Sequence, residues 1–128
     1  MGILLLGDGS YDFPVVGESH RQDALEAIVG GATWEGSDHD CLAILLLQDN
    51  NPYDPDAVAV GIDGHLVGYI PRGLNSQYRA LLAAAGCLDE NIGCRAKIVG
   101  GWEREGEDWG MFGVKLDISW PELQFERG

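Results

Sequence analysis

The chain has 128 residues, of which 45% are hydrophobic and 23% are charged, and its formal net charge is -13 at neutral pH. This length and composition fit one globular domain with its own core. No apolar run approaches the roughly 20 residues that a membrane span needs. Eight Lys and Arg against 21 Asp and Glu argue against broad nucleic-acid binding, for which a basic patch supplies much of the affinity. Net charge does not exclude a small local site.

The opening Met1–Leu6 is apolar, but it has no basic flank and is too short for a signal peptide. We expect a strand or a disordered start there, in a cytoplasmic protein. The three Cys form an odd set without a C-x-x-C pair, which argues against a disulfide framework: Cys41, Cys87 and Cys94. Buried thiols are expected. A zinc site with one of the three His would need a ligand spacing that the chain lacks, and we predict neither a metal nor a cofactor.

The first third of the chain predicts a turn, a short strand and a helix. Tyr11–Pro14 is typical of a turn, and Val15–Gly17 indicates the start of a strand. Four apolar residues within 24–28 would form one helical face, which Gly30-Gly31 would end.

The middle of the chain predicts strands. Cys41–Leu47 is too apolar to alternate, which suits a strand covered on both faces or a buried helical turn, and the Pro-rich segment that follows favours the strand. Ala57–Ile62 and His65–Ile70 flank Asp63-Gly64, the strongest hairpin signal in the sequence.

The last part predicts the best helix and two closing strands. Apolar residues recur at three- and four-residue spacing from Leu74 to Ala85, and Gly86 ends the pattern. Ile92–Gly101 and Gly110–Trp120 follow as strands. Between them lies an acidic loop flanked by tryptophans, which would pack across strands or form an aromatic clamp: Trp102 and Trp109. The elements sum to a mainly β (α+β) domain with two helices, in which a closed barrel-like sheet would protect the strand edges.

The segment Asp49–Ala57, hereafter the 49–57 loop, is more elaborate than a hairpin turn requires. It combines two Asn, three Asp, one Tyr and two Pro, and the Pro residues stiffen its backbone. A calcium loop of the EF-hand type would need Gly and Glu where Asp54 and Val60 stand. Gly7–Ser10 lacks the further residues of a phosphate loop. The 49–57 loop therefore predicts a binding surface, and no nucleophile or metal cluster predicts an enzyme.

Three segments in order carry a resemblance to the HIRAN domain family: Val15–Ser19, Asp49–Val60 and Val67–Arg72 with the helix that follows. The match spans roughly residues 13–118. We therefore divide the chain into an N-terminal extension (1–12), a HIRAN-like domain (13–120) and a C-terminal tail (121–128). The resemblance implies a six-stranded OB-like or SH3-like barrel. It also implies binding of single-stranded DNA with a free 3′ hydroxyl, in DNA repair or replication-fork processing.

The resemblance assigns DNA-binding roles to residues of the 49–57 loop. Asn50 and Asn51 would contact phosphate or sugar, Tyr53 would stack on the terminal base, and Asp54 would accept a hydrogen bond from the 3′ hydroxyl. From the residues alone, Tyr53 would equally pack over the barrel rim, the two Asn would stabilise the turn, and Asp54 would cap a local amide.

The rest of the implied site departs from the family. DNA-binding members carry an Arg followed by aromatics after Val-Val-Gly, where this chain has Ser19, His20 and Arg21. His20 would stack and Arg21 would reach a phosphate, while Arg72 stands for a family Lys. The motor and RING domains of the eukaryotic members are absent from this sequence, so ATP hydrolysis and zinc are not carried over. The alternative is an acidic protein-interaction or regulatory module, whose partner is another protein or a fused domain.

Overall fold

The computed structural model describes residues 2–31, 37–101 and 111–127. Its elements are, in chain order, β1 (Gly2–Leu6), β2 (Phe13–Pro14), a 3-10 turn (Glu18–His20), α1 (Gln22–Val29), β3 (Ser37–Leu47), β4 (Val58–Ile62), β5 (His65–Tyr69), α2 (Arg72–Ala84), β6 (Asn91–Gly100), β7 (Phe112–Asp117) and β8 (Gln124–Arg127). Both helices and the hairpin lie where the sequence predicts them. The predicted packing or clamp of Trp102 and Trp109 lies outside the described residues.

The sheet follows an antiparallel path of six strands, in the order β2-β7-β6-β3-β4-β5. It curls into a half-barrel. Val16 and Tyr69 exchange two backbone hydrogen bonds of 2.8 Å each, and these join the chain just after β2 to the opposite edge at β5. The predicted mainly β, barrel-like fold with two helices is confirmed.

Two further strands extend this sheet. β1 pairs in parallel with β6, and β8 pairs antiparallel with β1. The predicted N-terminal extension and C-terminal tail thus each contribute a strand to the same sheet as the predicted domain. At the start of the domain, the regular strand is Phe13–Pro14 rather than Val15–Gly17, because Val16 has its partner on β5 instead of β7.

The hairpin and the helices follow from local chemistry. Asp63 and Gly64 both have positive φ, the backbone that a tight two-residue turn needs and that Gly adopts without strain. α1 presents Leu25, and α2 presents Tyr78 and Leu82, to the core inside the curled sheet. Each buried leucine contributes about 1.5–3 kcal/mol relative to an exposed one.

One expectation for β3 is wrong, because the strand is not covered on both faces. Ala43 and Leu45 are buried, whereas Leu42, Ile44 and Leu46 are 62%, 52% and 50% exposed. Side chains alternate along a strand, and the two neighbours of β3 belong to the same sheet. Within the described part of the chain, no element packs over the outward side chains.

Candidate binding site at the 49–57 loop

Asn51 organises the turn that begins the 49–57 loop. Its Oδ1 accepts hydrogen bonds from the N–H groups of Tyr53 (2.8 Å) and Asp54 (3.1 Å), and its Nδ2 donates to Gln48 Oε1 at 2.9 Å. This is the Asx-type turn that Asn favours. The side chain therefore serves the turn that the residue types alone suggested. Asn50 is exposed and makes no hydrogen bond within the described residues, so its amide is available to a ligand.

Asp54 holds the second half of the loop. Its Oδ1 accepts the N–H of Asp56 at 2.9 Å, and its Oδ2 accepts from Asn75 Nδ2 at 2.7 Å. Arg72 Nε lies 3.5 Å from Oδ2, and the side chain remains 20% exposed. The hydrogen bond from Asp56, then those from Asn75 and Arg72, hold the pKa of Asp54 below its usual range. The carboxylate is therefore charged at neutral pH.

Arg72, at the start of α2, contacts the loop. Its Nη2 donates to the carbonyl oxygen of Tyr53 at 2.8 Å, in addition to the contact of Nε with Asp54. The side chain is 75% exposed. The guanidinium thus positions the loop and also faces solvent beside Tyr53.

Two further residues of α2 support the loop, and the sequence reasoning missed both. Asn75 is only 3% exposed and donates to Asp54. Arg79 donates to the carbonyl oxygens of Asp56 (2.9 Å) and Ala57 (3.0 Å) and pairs with Asp49 at 2.7 Å. Their spacing from Arg72, three and then four residues, places all three on one helix face, a signal that the sequence contained.

Tyr53 stands at the tip of this framework, and its side chain does not pack over the rim. The residue is 87% exposed beside a shallow cavity of about 300 Å³. The cavity is lined by Val16, Asn51, Tyr53, Asp54, Ala57, Tyr69, Ile70, Arg72 and Asn75. A mostly apolar floor with one carboxylate and one guanidinium at its edge is the usual composition of a small ligand site.

Ser19, His20 and Arg21 do not line this cavity. They lie in and just after the 3-10 turn, where Ser19 and His20 are exposed. The turn is attached to β7, because Glu18 accepts the N–H of Val114 and Gln22 exchanges hydrogen bonds with the backbone of Phe112. The 3-10 turn also lies near β5, and the roles assigned to Ser19, His20 and Arg21 stay predictions.

The loop region is less acidic than the chain as a whole. Asp49, Asp54 and Asp56 face two guanidinium groups, from Arg72 and Arg79. The local balance is therefore one negative charge, against -13 for the whole chain. Both guanidinium groups already contact the loop, but only Arg72 is largely exposed.

Gly7–Ser10, which hints at a phosphate loop, is bound instead to carboxylates of its own chain. The buried Asp117 accepts the N–H of Gly9 at 3.0 Å and of Tyr11 at 3.4 Å, and Asp8 accepts the N–H of Ser10. The amides of Gly9, Ser10 and Tyr11 are thus occupied. Asp117, a polar residue at the end of an apolar strand, was not anticipated from sequence.

The cysteines are all unpaired thiols. Cys87 and Cys94 are buried and Cys41 is half-buried. Burial raises the pKa of Cys94 to about 12 and that of Cys41 to about 11, so both are protonated at neutral pH. Among the described residues, no three His, Cys, Asp or Glu side chains are grouped as metal ligands would be. No helix in the same residues is long and apolar enough to cross a membrane.

Comparison of the chain with protein-family models, with curated proteins and with solved structures found no match. The resemblance to the HIRAN family therefore stays a prediction that depends on the three motifs. The geometry of the 49–57 loop stands independently of it.

Proposed function

We propose that the 49–57 loop and Arg72 bind the free 3′-hydroxyl end of single-stranded DNA, as a binding module without a catalytic role, in DNA repair or replication-fork processing. The observation that carries this proposal is the position of Tyr53. Its exposed ring stands beside a cavity that contains one charged carboxylate and one exposed guanidinium.

Each group suits one part of a strand end. The face of Tyr53 stacks on the terminal base, a contact worth about 1–3 kcal/mol in single-strand binders. Arg72 pairs with a backbone phosphate. Asp54 has one uncommitted lone-pair position, because a carboxylate offers about four and three are used.

Asp54 gives the site its preference for one end chemistry. Its pKa is lowered, so at neutral pH the group accepts a hydrogen bond from a hydroxyl and repels a phosphate. Asn75 and the Asp56 amide fix the carboxylate in place. The contacts that build the loop therefore also orient the Asp54 carboxylate, which would distinguish a 3′ hydroxyl from a 3′ phosphate.

The direct test is a titration of labelled DNA about ten nucleotides long, a length within the range that one barrel domain covers. Strands that end in a 3′ hydroxyl and in a 3′ phosphate are compared at low salt, where phosphate contacts are strongest. We expect saturable binding of the hydroxyl end and weaker binding of the phosphate end. Asp54→Asn keeps the size of the side chain but removes its charge, and it should abolish this difference.

Matched variants separate stacking from charge. Tyr53→Ala should weaken both ends by about 5- to 150-fold, the equivalent of the stacking energy, whereas Tyr53→Phe keeps the ring and should bind normally. Arg72→Gln should lower the salt dependence by about 0.7 in the logarithmic slope, the value for one phosphate contact on a single strand. Absence of saturable binding at low salt would refute the proposal.

A second candidate is an acidic protein-interaction or regulatory module that has this fold without binding DNA. The net charge of -13 favours it, since most of the surface repels phosphate. It predicts that no strand end binds and that Tyr53 variants change nothing in the DNA titration. In either role, we propose a cytoplasmic location, because three unpaired thiols suit a reducing compartment.

A further inference from the structure

The outward face of β3 carries a ridge of three apolar side chains, Leu42, Ile44 and Leu46, each at least half exposed. The strands on both sides of Ile44 leave room beside it. Ile44 pairs with Gly93 of β6 and with Gly61 of β4, neither of which has a side chain. The ridge therefore stands between two troughs.

Both troughs form cavities. One, of about 650 Å³, extends from Leu42 towards Gly61 and Leu66, and the other, of about 610 Å³, extends towards Asn91. They share Leu4, Ile44, Leu46 and Gly93. Exposed apolar surface that is contiguous in this way marks an interaction site more often than single exposed residues do.

The shape of the ridge suits side-chain docking. At Ile44 and Leu45, β3 is paired with both β4 and β6, so the backbone at the centre of the ridge cannot accept an added strand. Leu42 to Leu46 spans about 13 Å, at about 3.3 Å per residue. Apolar residues at positions i, i+3 or i+4, and i+7 of a helix span about 10 Å, at 1.5 Å per residue. Two to three turns of an amphipathic helix would therefore cover the ridge and place side chains in the troughs.

The charged residues around the ridge indicate which kind of helix would bind. Among the described residues, four carboxylates and three cations stand around the ridge: Asp38, Asp40, Asp63, Glu126, Arg95, Lys97 and Lys115. Lys97 already contacts both Asp38 and Asp40. A second copy would bring the same acidic rim and another net charge of -13, which repels. A partner with basic residues beside its apolar face complements this rim.

We propose that the outward face of β1, β3, β4 and β6 docks a basic amphipathic helix of another protein. Leu42, Ile44 and Leu46 form the apolar contact, and the acidic rim receives Lys and Arg from both flanks of the helix. This face would be the binding surface of the protein-interaction module, the second candidate function. The proposal does not require that the chain bind DNA.

The test uses a synthetic peptide of Leu and Lys, about 18 residues long, that forms an amphipathic helix of five turns. Its control has the same composition in a scrambled order, so charge is conserved and the apolar face is lost. At about 150 mM salt, where surface charge is partly screened, anisotropy should show binding of the amphipathic peptide at least tenfold tighter than of the control.

The double variant Ile44→Thr, Leu46→Thr should weaken this binding at least tenfold. Thr is β-branched and favours strands, so β3 should still form in both positions. Met111→Thr is the matched control, because Met111 is similarly exposed but precedes β7, whose first residue pairs with the far end of β6. Its peptide binding should not change.

A third measurement uses the wild-type chain, so it does not depend on whether the variants fold. Amide chemical shifts of the wild-type chain should change on peptide addition along β3, β4 and β6. Equal affinity for the two peptides, unchanged affinity of the double variant, or shifts located elsewhere would overturn the proposal. A wild-type dimer in sedimentation that the double variant converts to monomer would also overturn it, since a second copy would then cover the face. The DNA titration of the Tyr53 variants tests the DNA-binding proposal separately, so either proposal can fail without the other.

Discussion

Tyr53 and Asp54 are adjacent, yet their side chains are in opposite situations. Tyr53 is 87% exposed and its ring forms no hydrogen bond, aromatic or cation–π contact with the described residues, whereas every oxygen of Asp54 accepts a hydrogen bond or contacts a cation. Asn51 likewise uses both ends of its amide within the loop. At this scale the polar residues build the frame, while the ring of Tyr53 and the one remaining lone-pair position of Asp54 face a ligand.

The lowered pKa of Asp54 makes the loop sensitive to acid. A carboxylate whose folded pKa lies below its unfolded value of about 3.9 stabilises the fold above that value, and loses this contribution as the pH falls through the folded pKa. Asp54→Ala should therefore lower Tm at neutral pH. The Tm difference from wild type should be constant down to about pH 5 and shrink below about pH 4.

Asp12→Ala is the matched control for this measurement by thermal melting. Asp12 is exposed and makes no hydrogen bond or ion pair with the described residues. Its Tm difference from wild type should be small at every pH. A difference for Asp54→Ala that grows on acidification would contradict the prediction.

At the scale of elements, α2 and β5 decide where the site lies. α2 directs Arg72, Asn75 and Arg79 at the loop from one face. β5 closes the half-barrel, and Gly68 allows the chain at Val16 to approach it closely enough for the bridge to Tyr69. The cavity beside Tyr53 forms between these two elements.

Gly68→Ala should weaken the bridge between Val16 and Tyr69 that closes the half-barrel. An added Cβ would stand 2.8 Å from the carbonyl oxygen of Val16, a backbone contact that a side-chain rotation cannot relieve. We expect a loss of about 1–3 kcal/mol in the free energy of unfolding, as for other overpacked sites. Hydrogen exchange should show faster exchange at the amides of Val16 and Tyr69, which form the bridge.

Gly73→Ala provides the control within α2. An added Cβ there meets nothing within 4 Å, so the substitution should be neutral or stabilise by up to about 1 kcal/mol through the unfolded state. Urea denaturation of the two variants compares the signs directly. A Gly68→Ala protein as stable as wild type, with unchanged exchange at the bridge, would show that the closure tolerates a side chain.

For the whole molecule, charge is the dominant property. A net charge of -13 on 128 residues brings many carboxylates within a Debye length of one another at low salt. The folded state is compact and therefore carries more of this repulsion than the unfolded chain does. The few cations are concentrated in local pairs, such as Lys97 with Asp38 and Asp40.

Tm should therefore rise as monovalent salt increases from about 10 mM to about 150 mM, where the Debye length shortens from about 30 Å to 8 Å. Sodium and potassium chloride should act equally, because screening depends on ionic strength alone. Calcium chloride at the same ionic strength is the control for specific binding. An additional rise with calcium alone would point to a bound ion and would contradict screening as the cause.

Local sequence patterns predicted most of the helices and strands. The Asp63-Gly64 hairpin, the apolar spacing of α2 and the strand that precedes the 49–57 loop were all evident in the chain, because turns, helices and strands depend on neighbours in sequence. Asn75 and Arg79 were missed although their spacing was visible, because an exposed-looking polar helix face gives no sign of what it contacts. Asp117 was missed because its partners, Gly9 and Tyr11, are about a hundred residues away.

The sequence by itself determined that this protein is mainly β with two helices and that its 49–57 loop is polar and contains two Pro. Only the tertiary structure decided which side chains of that loop remain available. It placed Asn51 and Asp54 in hydrogen bonds, left Tyr53 exposed, and turned half of the apolar strand β3 outward. The reason is physical: backbone preferences act between near neighbours, whereas exposure and hydrogen-bond partners depend on elements that meet only when the sheet curls.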